Sequence, residues 1–173
     1  MSTSSPLPFV RSRAAPLCLV GGLLAGTIDV VFAGAYWHAS VPLTLRSIAS
    51  WVLGPAAFHG GAAAAAVGAV LEAVLMVAMY AGYGLLARRH PALLRHPMRK
   101  GLVYGAALYA LQFGVLVPLS PAPFAVLIDP LWHIACCSVY MLMVGIPAAR
   151  IARLATVPSA AERFVEDARH RPV

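Results

Sequence analysis

Asp29, Glu72, Gln112 and His133 each stand inside a long apolar stretch of this 173-residue chain. An ionisable group in such a setting is costly, and by default it marks a functional site. Two carboxyls without water are expected to hold a proton on one of them at neutral pH. An imidazole nearby is expected to relay or accept that proton. The pattern therefore points to a proton- or cation-responsive site. The competing expectation is structural: the same four groups hydrogen-bond one another and lock the helices, with Glu72 protonated as a donor and Gln112 bonded to a neighbouring helix. Asp129, followed by Pro130, has the residue types of a helix N-cap and first turn.

Other chemistries find less support. A metal site could be assembled from Asp29, Glu72 and His133 with His38 or His59, but no ligand spacing is diagnostic apart from Asp129 and His133, four residues apart. No metal is expected. There is no GxSxG, HExxH, CxxC or glycine-rich phosphate loop, so no catalytic residue is assigned and no cofactor is expected. An intramembrane enzyme using Asp29, Glu72 and His133 is left as an alternative. Cys18, Cys136 and Cys137 are odd in number and lie in apolar sequence, which reads as core packing rather than a disulfide framework. His90, His96 and His170 lie in basic segments and read as solvated.

The elements that would position these groups are membrane spans. The stretch 62–87, AAAAAVGAVLEAVLMVAMYAGYGLLA, is apolar but for Glu72 and exceeds the roughly 20 residues a bilayer requires. Three more follow the same rule, at about 16–37, 101–119 and 129–149. At ~1.5 Å per residue, Asp29 lies ~13 Å, Glu72 ~15 Å and Gln112 ~10 Å from the same ends of their helices, with His133 ~6 Å below Asp129. Each span thus carries a polar group in the same half of the membrane. The segment 42–54 is too short to span; it reads as an amphipathic helix lying in the interface or as a partly re-entrant segment, with a solvated loop as the alternative. Gly22-xxx-Gly26 and Gly101-xxx-Gly105, with Ala78 and Gly82, are spacings that permit close helix approach. Val41-Pro42-Leu43-Thr44 and Val117-Pro118-Leu119-Ser120 form a weak internal echo.

Composition agrees with a membrane class: 61% hydrophobic and only 11% charged, with a mean hydropathy of +0.80. A soluble domain carries about 25% charged residues. The net charge of +7 is that of topology signals flanking the spans, and no nucleic-acid partner is expected. Basic residues gather before the first span, in 88–100 and after Arg150, which predicts both termini in the cytoplasm. Trp37, Trp51 and Trp132 then fall near the opposite face, as an aromatic belt would place them. A cleaved signal peptide ending near Ala33-Gly34-Ala35 is the rival reading of the first span.

The order of features resembles the YagU-like group of small bacterial inner-membrane proteins. The resemblance rests on GGLLAGTIDVVFAGA, SIASWVLGPAAFHGG, GLVYGAALYALQFGVLVPLSPAP, the cluster DPLWH and GIPAARIAR, over residues 17–153. It implies a bacterial inner-membrane location, an unknown activity and a link to acid or envelope stress. No site residue is carried over from it.

The expected protein is all-α: a four-helix transmembrane bundle with one short interfacial helix after the first span. Residues 1–15 are expected as a disordered cytoplasmic tail and 154–173 as a second cytoplasmic tail, around a single membrane domain at 16–153. The lipid bilayer is the expected partner and a homo-oligomer is left open. The leading function is a non-enzymatic membrane protein whose polar core is structural or proton-responsive; the alternative is a small proton- or cation-coupled transporter or channel.

Overall fold

The computed structural model describes the backbone of residues 8–122 and 129–156, with side chains from 14–122 and 129–155. Among these residues every regular element is helical. Four helices are long and apolar enough to cross a membrane: Ala14–Tyr36, Gly61–Arg89, Pro97–Leu119 and Pro130–Ala155, here the first to fourth spans. A shorter intervening helix, Val41–Leu53, follows the first. Large apolar side chains such as Leu24, Val70, Val103 and Ile134 are 60–68% exposed on the outside of the bundle. Water would not tolerate so wide an apolar surface, and this is the architecture of a multi-pass membrane protein.

Helix ends extend past the apolar stretches that identify them. The first helix begins at Pro8, so residues 8–15 are helical rather than disordered. Nothing from Phe9 to Ala15 is a glycine or proline, and extending an existing helix is cheap once it is nucleated. The last helix likewise continues through Thr156. Residues 1–7, 123–128 and 157–173, including most of the two expected tails, lie outside the described residues. Val41-Pro42 opens a helix, whereas Val117-Pro118 lies in the last turn of one.

The spans alternate in direction. One end of the bundle carries Tyr36, Gly61, Leu119 and Asp129; the other carries Arg88, Arg89, Arg95, Arg99 and Arg150. These are called the tryptophan end and the basic end. The first span packs on the second and the third on the fourth, while the basic half of the fourth also packs on the first and second. Glycines set the closest seams. A Cβ on Gly22 would lie 2.7 Å from the Val77 backbone, and one on Gly101 would lie 2.6 Å from the Gly145 carbonyl. Gly145 in turn faces the Gly101 backbone, and Gly105 faces that of Tyr140. Gly68 of the second span meets the Leu45 carbonyl of the intervening helix. Gly68 is seven residues into its span, so the intervening helix descends ~10 Å alongside the bundle. Its hydroxyls bond its own backbone, Ser50 to Ser47 O at 2.6 Å and Ser47 to Thr44 O at 2.8 Å, as polar groups away from water require.

Two spans are not regular. The third has a π-helical turn at Gln112–Leu116 and the fourth one at Tyr140–Gly145. Each is followed two residues later by a proline, Pro118 or Pro147. Proline has no N–H and clashes with the carbonyl four residues earlier, and a π turn is one way a helix absorbs this. Pro147 leaves the Met143 carbonyl without its helical donor. The Tyr80 hydroxyl, from the second span, donates to that carbonyl at 2.7 Å.

A polar core beneath a tryptophan-lined cavity as the candidate functional site

The first span turns its polar residue toward the second because glycines there leave room. Glu72 lies over Gly26, where a Cβ would sit 3.5 Å from its Cγ and 3.6 Å from Oε1. Its side chain is buried, 4% exposed. Asp29, one turn along from Gly26 on the first span, lies within electrostatic reach of Glu72. Asp29 Oδ1 and Glu72 Oε1 are both buried, and neither has a hydrogen-bond partner among the described residues.

The third and fourth spans complete the core. Gln112 is 2% exposed and Tyr140 1%, and each begins one of the π-helical turns. Tyr140 lies near Asp29, Glu72 and Cys136 and beside the Gln112 amide, and its hydroxyl is buried without a hydrogen-bond partner among the described residues. Measured by helical rise from the tryptophan end, Asp29, Gln112 and Cys136 form a layer at ~10 Å, with Glu72 and Tyr140 at ~15 Å. The structure thus brings Asp29, Glu72 and Gln112 together with two residues that were not anticipated from sequence, Cys136 and Tyr140. A tyrosine or cysteine in an apolar span is ordinary, so neither carried a signal. The prolines two residues beyond each π turn are the trace that could have marked Gln112 and Tyr140.

His133 sits elsewhere in the site, where its Nδ1 is hydrogen-bonded to the Tyr109 hydroxyl of the third span. Asp129 is the N-cap of the fourth span, its Oδ1 accepting from Leu131 N at 2.9 Å and from Trp132 N at 3.4 Å. Its other oxygen accepts from the Tyr36 hydroxyl at 2.8 Å. That hydroxyl, then the two backbone amides and the nearby His133, hold the Asp129 carboxyl below the usual carboxylate range against the opposing effect of desolvation.

A cavity of about 300 Å³ reaches this core from the tryptophan end. Asp29, Gln112 and Cys136 form its polar floor, and Trp37, Trp51 and Trp132 stand in its walls. Ser47, Ser50 and Thr44 of the intervening helix close one side. All three tryptophans of the chain therefore face one cavity. Trp132 differs from a ring resting in lipid: it is only 5% exposed, whereas Trp37 is 41% exposed, and it packs against Phe32, Tyr36 and Trp37 with ring centroids 5.1–5.8 Å apart. A second hollow, a groove of about 290 Å³, runs between the first span, the second span and the intervening helix and touches Glu72.

Among the described residues no three His, Cys, Asp or Glu side chains gather closely enough to hold a metal ion. His38 has another role. It ends the first helix with φ 51°, and its N–H and that of Ala39 close back on Ala35 O and Gly34 O at 3.4 and 2.8 Å. This is a Schellman cap with histidine where glycine is usual.

Comparisons with protein-family models, curated proteins and solved structures found no match to this chain.

Proposed function

We propose that this chain is a non-enzymatic protein of the bacterial inner membrane whose buried polar core responds to protons. The observation that carries the reading is the carboxyl pair. Asp29 and Glu72 come from adjacent spans, lie in electrostatic contact in apolar surroundings, and each leaves a buried oxygen without a partner among the described residues. Such a pair can take up and release a proton at little structural cost, because the Tyr140 hydroxyl, buried nearby without a hydrogen-bond partner among the described residues, can serve as donor or acceptor. Asp29 lines the cavity, which supplies a route for the proton from the tryptophan end. The basic residues at the opposite end favour that end facing the cytoplasm, and the cavity then opens away from it. Resemblance to the YagU-like group supports the same membrane.

The test is the emission of the cavity tryptophans in protein reconstituted into liposomes, followed from pH 5 to 9. The expected result is a titration that Glu72→Gln abolishes while the protein stays inserted. Identical profiles for the two proteins would overturn the reading.

A transporter reading is favoured by one feature: the carboxyl pair separates the cavity, which Asp29 lines, from the groove, which Glu72 lines. It requires proton flux into liposomes above the empty-vesicle rate, and flux that survives Glu72→Gln would remove the pair from the path.

A further inference from the structure

The cavity presents a set of unmatched polar atoms to whatever occupies it. Gln112 and Trp132 are 2% and 5% exposed, so more than nine-tenths buried, and both line the cavity together with Asp29. Asp29 Oδ1, Gln112 Oε1 and Trp132 Nε1 are all buried without a hydrogen-bond partner among the described residues. A buried polar atom left unmatched costs about 1–3 kcal/mol, and native proteins carry few of them. Here three converge on one space.

Their roles specify a complement. Asp29 and Gln112 offer acceptors, one of them on an acidic group, and the Trp132 indole offers a donor. The matching molecule carries a group with several N–H donors and positive charge, plus one acceptor of its own. Apart from Cys136 and the side formed by Thr44, Ser47 and Ser50, the remaining walls are aromatic or aliphatic, with Trp37, Trp51 and Phe113 beside the Trp132 ring. Faces of indole rings attract a cation, and apolar walls take up a hydrocarbon body. The volume of about 300 Å³ is at the lower end of the range for small-molecule sites.

We propose that the cavity is a binding site for a small amphiphilic amine in its protonated form, its ammonium group on Asp29 and Gln112 and a hydroxyl or carbonyl oxygen on the Trp132 N–H. This rests on the reading of Asp29 as an ionisable member of the core, but not on proton exchange at Glu72.

The chain's own tryptophans make the test direct, since all three line the site and no other indole contributes. The probe is 2-amino-1-phenylethanol, added to the full chain in detergent at pH 7. The neutral analogue 2-phenylethanol serves as control. A saturable emission change with the amine is expected, with the neutral alcohol weaker by roughly tenfold or more, the value of one charge-assisted hydrogen bond. Asp29→Asn and Gln112→Leu should each weaken the amine and leave the alcohol unchanged. Trp132→Phe should weaken both the amine and the alcohol, since each carries the hydroxyl that meets the indole N–H. Circular dichroism of each variant confirms that it is folded.

Equal affinity for amine and alcohol in the wild-type protein overturns the proposal and leaves a merely apolar cavity. An amine response unaffected by Asp29→Asn does the same. If the amine fails to bind while emission still titrates in a Glu72-dependent way, only this inference falls. If both responses are absent, the proton-responsive reading falls with it.

Discussion

Tyr36 and Asp129, 93 positions apart, are joined by a 2.8 Å hydrogen bond that ties the end of the first span to the start of the fourth. The same carboxylate caps the fourth helix through Leu131 N and Trp132 N. One side chain therefore both starts a span and fixes where it stands. Because these bonds favour the charged form, the folded protein binds the Asp129 proton more weakly than the unfolded chain. The stabilisation is fully present above the ordinary aspartate value, near pH 4, and is lost as pH falls through the lower folded value. Thermal melts in detergent should show this loss below about pH 4. Asp129→Asn, which can still cap and still accept from Tyr36, should melt independently of pH over that interval at this site. A mutant with the wild-type acid profile would remove the assignment.

Glu72→Gln keeps the shape of the buried side chain and should shift stability by less than about 1.5 kcal/mol, as for other swaps of matched volume. Gly26→Val is expected to be worse, at about 1–3 kcal/mol, because the added methyls press on the Glu72 carboxyl. Denaturant titration of the two variants checks the order; the reverse ranking would show that Glu72 does not depend on the space above Gly26.

Gly145 and Gly84 offer a matched comparison. A Cβ at Gly145 runs into the Gly101 backbone, whereas one at Gly84 meets nothing within 4 Å. Gly145→Ala should cost about 1–3 kcal/mol or more, since backbone cannot move aside as a side chain can. Gly84→Ala should be neutral or gain up to about 1 kcal/mol from helix propensity. The two melting temperatures are the readout.

His38 holds a left-handed conformation that costs an L side chain roughly 1–2 kcal/mol. His38→Gly should relieve this and raise the melting temperature, while His38→Ala should not. An increase with alanine would point to the imidazole, not the backbone, as the source of strain.

The Tyr80 bond to Met143 O answers a vacancy made by Pro147. Tyr80→Phe should cost about 1–3 kcal/mol, the penalty for an orphaned buried acceptor. In a Pro147→Ala background residue 147 regains its N–H, and the same substitution should cost less. A double-mutant cycle measures the difference; purely additive effects would disprove the link.

The four spans were legible because a bilayer imposes a length and polarity that few other structures share. The neighbouring levels of Asp29, Glu72 and Gln112 along the bundle were legible through counting along helices of known rise. Position around the helix axis was harder to read. Gly68 and Gly145 belong to no GxxxG pair, so the seams they make were missed. The π turns at Gln112 and Tyr140 rotate everything beyond them, which a regular 3.6-residue count cannot anticipate. Trp37, Trp51 and Trp132 were placed at the correct end, but sequence cannot separate a ring resting in lipid from one walling a cavity. His38 was weighed as a ligand because nothing in its neighbours announced a left-handed turn.

The glycine seam between the third and fourth spans has a mechanical consequence. At the basic end these helices touch backbone to backbone through Gly101, Gly105 and Gly145, whereas at the tryptophan end they are joined by longer side chains, Tyr109 and His133. The pair has the shape of a clothes-peg, closest at the spring and wider at the jaws. The tightest packing of the two helices is thus kept away from the cavity, and the contacts beside the cavity are the ones that side-chain substitution can loosen.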